Sequence, residues 1–323
     1  MRILAVDDDP IILELLRQFV ESTTDHALVT VSSAADARSV IAGSTDGSFD
    51  CFLLDIQMPE TDGIELCRHL RKTDTNTPVV MLTAMNERSY IDRAFRAGAT
   101  DYVTKPFEVY ELAARLTAAE ALVAVNRQAA TVSVPTARKT GVAIDHPIEL
   151  NDPLTIYDVE GVIEHSALEN YLQQLGRSAL FGSTAFAFSI REIAAYHARM
   201  SPFEFHCMIT DVAEIMADAL SHRSALMSYV GSGSFACVAE KGWRPDSKQL
   251  AGRVNYALAM SELYLNSGER IEPRVCGGDA VRMIWRSGTA TLDALGEAVA
   301  SAERETVDRE KYLDDFWYMG QSA

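Results

Sequence analysis

The stretch Cys51-Phe52-Leu53-Leu54-Asp55 decides the fold of the first part of the chain, because four apolar residues run directly into an aspartate. Similar short apolar runs end at Asp7, at Thr83 and just before Lys105. Apolar residues at helical spacing separate these runs. Strands that alternate with helices in this way predict a doubly wound α/β domain with a five-stranded parallel sheet. The carboxyl ends of strands in such a sheet face one crevice, so the polar residues at those ends should meet there.

Three carboxylates, a hydroxyl and an amine in one crevice suit a divalent cation and a phosphoryl group. Mg²⁺ prefers oxygen ligands and is commonly held by one or two carboxylates together with phosphate oxygens. Asp7, Asp8 and Asp55 would repel one another in a crevice of low dielectric, so they favour a bound cation. A carboxylate can also act as a nucleophile and become an acyl phosphate. The alternative is that Asp7 and Asp8 cap a helix while Lys105 is a surface charge, but the complete set in this order favours the site.

Four motifs in the first part of the chain resemble those of a response-regulator receiver domain, in the family's order and spacing. They are AVDDDP at 5–10, LLDIQMP at 53–59, MLTA at 81–84 and YVTKPF at 102–107. The resemblance implies that Asp55 accepts a phosphoryl group from a sensor histidine kinase or a phosphotransfer protein, with Mg²⁺ as cofactor. The Mg²⁺ ligands would be Asp7, Asp8, Asp55 and the backbone carbonyl of Gln57, and the phosphate and switch residues would be Thr83, Ala84, Tyr102 and Lys105.

The composition limits the class of protein. The chain has 323 residues, of which 48% are hydrophobic, and this length suggests two domains with sizeable cores. Its formal net charge of −17 argues against a DNA-binding output, because DNA binding needs a basic footprint. The five cysteines lack CxxC spacing and are expected to be apolar core residues in a reducing compartment. With no signal peptide and no apolar stretch that could insert into a membrane, we expect a cytoplasmic protein.

The domain organisation follows from the change of pattern near the middle of the chain. A region without sustained periodicity, broken by Pro135, Gly141 and Pro147, predicts a linker. Alternatively, the last receiver helix continues toward Gln128 as a stalk. An aromatic segment near the C-terminus, 312–319, either packs back on the second domain or docks a protein. The predicted division is a receiver domain over 1–123, a linker over 124–150, an output domain over 151–306 and a tail over 307–323.

The second half of the chain has the pattern of an α+β domain with a mainly antiparallel sheet. Two apolar runs about the Gly/Ser turn at 231–234 predict a β-hairpin. The other predicted elements are a strand over 185–190, two helices from 193 and from 203, a helix over 247–266, strands at 270–276 and 281–285, and a last helix over 292–305.

This layout resembles that of a GGDEF domain, the fold of diguanylate cyclases. Asn151-Asp152-Pro153-Leu154-Thr155 looks like the family's opening motif. Ser189, however, replaces the metal-binding aspartate, and His197 and His206 fall where the family recognises guanine. Because two-metal catalysis needs fixed carboxylates, these departures imply a catalytically dead domain. The positions of the signature hairpin are Gly231, Ser232, Gly233, Ser234 and Phe235, of which the third and fourth are normally acidic.

The sequence therefore predicts a phosphorylation-controlled response regulator of a two-component system that is not an enzyme in its output domain. We expect it to signal through contact of the GGDEF-like domain with a downstream protein that the sequence does not name, and to form a homodimer on phosphorylation. One alternative is a nucleotide sensor that binds GTP or cyclic di-GMP in the degenerate pocket. A second alternative is an active diguanylate cyclase.

Overall fold

The computed structural model divides the chain into two compact units, Met1–Pro135 and Thr136–Ala323. For residues 125, 126, 128–131 and 312–320 the backbone alone is described. The described residues are 1–43, 48–84, 88–131, 147–156, 159–175, 180–221, 225–283 and 288–320.

Unit 1 is a parallel sheet between two layers of helices, as the sequence predicts. Its strands are β1 (Arg2–Val6), β2 (Ala27–Val31), β3 (Cys51–Asp55), β4 (Val79–Thr83) and β5 (Asp101–Thr104). Its helices are α1 (Pro10–Thr23), α2 (Ala34–Ala42), α3 (Gly63–Arg71), α4 (Arg88–Arg96) and α5 (Val109–Thr131). The strand order is β2-β1-β3-β4-β5, with every neighbouring pair parallel. The five-stranded doubly wound fold is therefore confirmed.

Side chains just outside the helices define where three of them begin. The carboxylate of Asp9 accepts a hydrogen bond from the amide of Ile11, and Pro10 takes the first helical position of α1. Ser33 caps α2 and Asp62 caps α3 in the same manner. Such caps satisfy amide groups that lack a partner inside the helix. They also fix the short β–α loops that carry the polar residues at the strand ends.

Helix α5 continues beyond residue 123, as the stalk alternative for the linker describes. It ends at Thr131, and Arg127 near its end donates a hydrogen bond of 2.5 Å to Asp50. Asp50 directly precedes β3 and also accepts a hydrogen bond of 2.7 Å from the amide of Arg2. The predicted linker residues 132–146 lie outside the described part of the chain.

Unit 2 is built on an antiparallel sheet. Its strands are β6 (Thr184–Ile190), β7 (Ala225–Gly231), β8 (Ser234–Ala239), β9 (Leu263–Tyr264), β10 (Arg270–Ile271), β11 (Val275–Gly277) and β12 (Val281–Arg282). Its helices are α6 (His165–Gln174), α7 (Ile193–Arg199), α8 (Pro202–Leu220), α9 (Ser247–Met260) and α10 (Thr289–Gly320). The main sheet has the order β11-β6-β8-β7, and β12 also pairs with β6. The predicted antiparallel sheet and the hairpin β7–β8 are confirmed.

The two faces of this sheet differ in the size of their side chains. Phe186, Phe188 and Ile190 belong to the hydrophobic core that includes residues of α8 and α9. The alternate residues of β6, Ala185, Ala187 and Ser189, point to the other face, where α10 packs across β6, β8 and β11. The approach there is close: a Cβ at Gly278 would lie 2.3 Å from the backbone nitrogen of Ala302. Small residues are therefore required between the sheet and α10.

Several predicted boundaries in unit 2 differ from the structure. The helix predicted to reach residue 266 ends at Met260, and the hairpin of β9 and β10 follows it. The strand predicted over 270–276 is two short strands, β10 and β11. The last helix continues to Gly320 instead of ending near 305, while the side chains of the aromatic segment 312–319 lie outside the described residues. Within the described part, we find no helix with the length and apolarity needed to cross a bilayer.

Candidate functional site

Three of the predicted carboxylates meet at the carboxyl edge of the parallel sheet in unit 1. Asp7 follows β1 directly, Asp55 ends β3, and both side chains are buried, whereas Asp8 is exposed. One carboxylate oxygen from each of Asp7, Asp8 and Asp55 lies within 4.8 Å of the others. Among the described residues, this is the group of acidic, His or Cys side chains that could hold a metal ion. The fold thus assembles residues that are 48 positions apart in the sequence, from 7 to 55.

The amine of Lys105 bridges two of these carboxylates. Its Nζ atom lies 2.6 Å from Oδ2 of Asp7 and 2.7 Å from Oδ1 of Asp55. The side chains of Asp7 and Asp55 are 0% and 5% exposed, and that of Lys105 is 14% exposed, so the ion pairs are shielded from water. The alternative that Lys105 is a surface charge is therefore wrong.

The electrostatics of the crevice set the protonation of its groups. Burial raises the pKa of Asp55 to about 6; the hydrogen bond from Lys105 opposes this shift, and the charges of Asp7 and Asp8 add to it. Burial alone would lower the pKa of Lys105, but its hydrogen bonds to Asp55 and Asp7 outweigh burial and raise it. At neutral pH the lysine is therefore a cation, and Asp55 is mainly an ionised carboxylate that can act as a nucleophile.

The predicted switch residues lie beside this group. Thr83 ends β4 and is buried, next to Ala84, which is exposed. The ring of Tyr102 on β5 is 6% exposed and packs edge-on against Phe95 of α4, with 6.1 Å between the ring centroids. Burial raises the pKa of the Tyr102 hydroxyl to about 12. Tyr102 is thus already turned inward in this structure.

The crevice suits the cation that the sequence predicts. Its donors are carboxylate oxygens, which hard cations such as Mg²⁺ prefer over nitrogen and sulfur. Repulsion among the carboxylates, which contributes to the raised pKa of Asp55, would be relieved by a divalent charge. Gln57, whose backbone carbonyl is the remaining predicted ligand, is exposed in the loop after β3.

In unit 2, two of the predicted cyclase positions contact the long helix α10. Ser189 and Ser234 are cross-strand neighbours on β6 and β8, and both are buried. The hydroxyl of Ser234 donates a hydrogen bond of 3.0 Å to Glu303. The backbone carbonyl of Ser189 accepts a hydrogen bond of 3.5 Å from the hydroxyl of Thr306. Glu303 and Thr306 were not predicted from the sequence. The signal that could have found them is the spacing of small residues on one face of the helix, at Ala298, Ala302 and Thr306, which is typical of close packing.

The two predicted histidines contact the segment that precedes α6. The Nε2 atom of His197 lies 2.6 Å from the backbone carbonyl oxygen of Ile148. The Nε2 atom of His206 lies 3.2 Å from the carbonyl oxygen of Thr155. Neither histidine belongs to the group of side chains that could hold a metal ion. Both rings therefore make a structural contact with the backbone inside unit 2.

The hairpin turn between β7 and β8 is a left-handed stretch of backbone. Gly231, Ser232 and Gly233 have φ angles of 95°, 50° and 75°. The amide of Gly233 donates a hydrogen bond of 3.0 Å to the hydroxyl of buried Tyr229, while Phe235 is buried on β8. Glycine tolerates positive φ at little cost. The turn is therefore fixed by backbone geometry at positions where the cyclase resemblance would place acidic side chains.

Comparisons with known proteins cover unit 1. The family described as "Response regulator receiver domain" matches residues 3–117. The transcriptional regulatory protein ResD of Bacillus subtilis is 38% identical over 117 residues, which are 36% of this chain and 47% of that protein. The response regulator MprA of Mycobacterium leprae is 39% identical over 118 residues, 36% of this chain and 50% of that protein. The chain thus spans about half the length of these curated relatives.

A solved structure of the Francisella response regulator 1452 receiver domain is 29% identical, and the match covers 39% of this chain and 98% of that chain with a TM-score of 0.34. The family match spans both Asp7 and Lys105, so it includes the crevice described above. Residues 3–117 are a response regulator receiver domain.

Proposed function

We propose that this protein is a phosphorylation-controlled response regulator of a two-component system, and that Asp55 accepts a phosphoryl group from a sensor histidine kinase or a phosphotransfer protein. The observation that carries the proposal is the position of Lys105, whose amine lies 2.7 Å from Asp55 and 2.6 Å from Asp7 in a shielded crevice. A cation held at that point can neutralise charge added to the Asp55 carboxylate.

The residues of the crevice divide the chemistry among them. The ionised carboxylate of Asp55 attacks phosphorus and forms an acyl phosphate, while the bond from phosphorus to the donor group breaks and that group leaves with the bonding electrons. The amine of Lys105 contacts the transferred group, and the hydroxyl of Thr83 can donate a hydrogen bond to one of its oxygens. Asp7, Asp8, Asp55 and the carbonyl of Gln57 would hold Mg²⁺. When bound, such an ion neutralises negative charge that develops on the phosphoryl oxygens.

We further propose that the switch acts through the surface of α4, β5 and α5. Thr83 moves toward the phosphoryl group. We expect from the resemblance that Tyr102 turns inward on phosphorylation, but its ring is already buried against Phe95 of α4 in this structure, so the inward position does not depend on phosphate. Because Tyr102 packs on Phe95 of α4, a change in the position of the Tyr102 ring can be passed to this helix by direct contact. The outcome is dimerisation or partner contact through this surface, in keeping with two-state control by phosphate.

For unit 2 we propose a degenerate GGDEF-like domain without cyclase activity that contacts a downstream protein. Three observations support this choice. Ser189, Gly233 and Ser234 offer no carboxylate for metal ions, and Ser234 instead binds Glu303 of α10. Ser232 binds Asn151 through its side chain. Internal contacts at these positions favour a protein-binding role over the nucleotide-sensor alternative.

The expectation that the output does not bind DNA remains part of the proposal. It rests on the net charge of −17, because DNA phosphates repel an acidic protein. ResD is named a transcriptional regulatory protein, but its match with this chain lies within 117 residues. Absence of a mobility shift with random duplex DNA at low salt would agree with the proposal. A shift that disappears with added salt would contradict it.

Labelling with a small phosphodonor tests the central claim. Asp55 should gain one phosphoryl group from acetyl phosphate when Mg²⁺ is present, and a chelator should prevent the gain. Asp55→Asn should remove labelling, because an amide does not act as a nucleophile here. Asp9→Asn is a matched control, since Asp9 is an exposed helix cap two residues from Asp7. Labelling of Asp55→Asn at the level of the unaltered protein in intact-mass spectra would refute the assignment.

A further inference from the structure

Gly63, the first residue of α3, lies directly against the backbone of Asp55. A Cβ at Gly63 would lie 1.9 Å from the carbonyl oxygen of Asp55, 2.8 Å from its carbonyl carbon and 3.2 Å from the Cα atom of Ile56. Among the glycines that the structure describes, none would bring a Cβ closer to another atom. Position 63 therefore has no room for a side chain unless the backbone at Asp55 moves.

The contact with Asp55, and not the local backbone conformation, accounts for the glycine at position 63. Gly63 is helical and its φ is not positive, so other residues could adopt the same conformation. Glycine in a helix also costs stability relative to alanine. The close approach to Asp55 is therefore the physical reason for a residue without a side chain here.

The same residue closes the loop between β3 and α3, residues 56–62. The amide of Gly63 donates a hydrogen bond of 3.0 Å to the carbonyl of Ile56, so the two ends of the loop are joined. Within the loop, Ile56 and Met58 are 2% and 9% exposed, whereas Gln57 between them is exposed. The joined base and the two buried side chains restrict the backbone at Gln57, whose carbonyl is the remaining predicted ligand of Mg²⁺.

We propose that Gly63 is a positioning residue of the crevice, because its contact with the Asp55 peptide fixes both the Asp55 carboxylate and the backbone carbonyl of Gln57 before Mg²⁺ binds. This inference rests on the proposed phosphorylation of Asp55. A methyl group at position 63 would have to move from 1.9 Å to more than 3.0 Å from the Asp55 carbonyl oxygen. Ligand distances in metal sites vary by only about 0.2 Å, and a displacement of about 1 Å can slow a reaction by about 100-fold.

The variant Gly63→Ala in the full chain adds this methyl group. Isothermal titration calorimetry with MgCl₂ measures the affinity for Mg²⁺, and intact-mass spectra measure the rate of labelling by acetyl phosphate at saturating Mg²⁺. We expect the affinity for Mg²⁺ to fall by about 10- to 100-fold, as when residues that orient metal ligands are altered. The labelling rate at saturating Mg²⁺ should fall by at least about tenfold, because the Asp55 carboxylate is itself displaced.

The melting temperature of Gly63→Ala in chelator tests the contact by its sign. If the methyl group fitted, alanine would raise the melting temperature of the receiver domain, because alanine favours a helix over glycine and restricts the unfolded chain. We expect the melting temperature to fall, because the methyl group displaces the Asp55 peptide. A raised melting temperature together with an unchanged affinity for Mg²⁺ would overturn the inference.

Ser33→Ala is the matched control for a loss of stability. Ser33 caps α2, so its removal destabilises the receiver domain without placing an atom beside Asp55. The affinity for Mg²⁺ and the labelling rate at saturating Mg²⁺ should stay unchanged in this variant. If Ser33→Ala lowers both values as much as Gly63→Ala does, the effect is one of general stability and the inference is wrong.

A second measurement uses the unaltered protein and does not depend on whether Gly63→Ala folds. Hydrogen exchange of the Gly63 amide, followed by NMR spectroscopy, is compared in chelator and in Mg²⁺. If the contact fixes the loop before the ion binds, this amide should be protected from exchange in both conditions. Rapid exchange in chelator, with protection in Mg²⁺ alone, would show that the ion orders the loop and would refute a positioning role for Gly63.

The outcomes distinguish this inference from the proposed function. If the unaltered protein neither binds Mg²⁺ nor gains a phosphoryl group, the proposed function fails and the inference fails with it. If the unaltered protein does both, and Gly63→Ala binds Mg²⁺ and is labelled equally well, the positioning role alone is refuted while the proposed function stands.

Discussion

The hydroxyl of Ser234 donates a hydrogen bond to the carboxylate of Glu303, with 3.0 Å between Oγ and Oε1. Ser234 is fully buried at the start of β8, and Glu303 lies on the face of α10 that packs on the sheet. This contact joins the signature hairpin of unit 2 to its last helix. A neutral donor at position 234 is therefore part of the packing of the domain.

Substitution of Ser234 should show how strongly this position rejects an acid. Ser234→Ala should lower the free energy of unfolding of unit 2 by about 1 kcal/mol, as for one hydrogen bond. Ser234→Asp should lower it by more than about 3 kcal/mol, because a buried carboxylate would face Glu303 without a partner. Tryptophan fluorescence in a urea titration reports on this unit alone, since all three tryptophans, Trp243, Trp285 and Trp317, lie in it. An aspartate variant as stable as the alanine variant would contradict the argument.

Removal of the Lys105 amine should make the stability of the receiver domain depend on a bound cation. In Lys105→Met, the buried carboxylates of Asp7 and Asp55 lose the charge that neutralises them. When a chelator removes Mg²⁺, we therefore expect the free energy of unfolding of the receiver domain to fall by about 3 kcal/mol, which is typical of a broken buried ion pair. Mg²⁺ should raise the melting temperature of the variant more than that of the unaltered protein. Differential scanning calorimetry measures both effects. Lys72→Met, at the exposed end of α3, is the control and should respond to Mg²⁺ like the unaltered protein.

The receiver fold and its crevice could be predicted from the sequence because the information is local. Four of the five strands of unit 1 coincide with apolar runs that lead into a polar residue, and the parallel sheet must bring these residues to the same edge. The exception is β2, which ends in Val31. Asp7, Asp55 and Lys105 therefore meet as soon as the strand order is known. The protonation state of these residues could not be predicted without the structure. Burial raises the pKa of Asp55 while the contact with Lys105 lowers it, and the balance of the two effects depends on the geometry.

Unit 2 was predicted less completely because its decisive contacts join distant segments. Periodicity shows that a last helix exists, but not that Glu303 and Thr306 meet Ser234 and Ser189. The contact of Ser232 with Asn151 spans 81 positions and follows from the shape of the turn at Gly231. Short strands such as β9 and β10, with two residues each, are too brief to leave an alternation of apolar and polar residues.

Activation should change the oligomeric state through the start of α5. Val109 and Tyr110 are 59% and 76% exposed there, and large apolar side chains in the open are typical of a contact surface. With beryllofluoride and Mg²⁺ we expect a dimer in sedimentation velocity. Tyr110→Ser should weaken that dimer by about tenfold, which is about 1.4 kcal/mol. Ile11→Ser is the control: it removes a side chain that is 68% exposed on α1 and should leave the dimer intact. If activated and unactivated protein sediment alike, the proposed coupling of phosphorylation to dimerisation is refuted.

Unit 2 should make no cyclic dinucleotide, and restoring the three acids of the signature positions should not rescue it. Turnover of GTP by a GGDEF-like domain would need carboxylates that hold metal ions, and the loss of several kcal/mol of transition-state stabilisation lowers the rate by orders of magnitude. The structure adds a steric reason, because a Cβ at Gly233 would lie 2.8 Å from the side chain of Ile193 while φ is 75°. A triple variant with acids at Ser189, Gly233 and Ser234 should therefore stay inactive unless His197 and His206 are also replaced by the residues with which the cyclase family recognises guanine. Incubation with GTP and Mg²⁺ or Mn²⁺, followed by mass spectrometry, measures this; product from the unaltered protein that is lost on substitution of Ser189 or Gly233 would show that the domain is an enzyme.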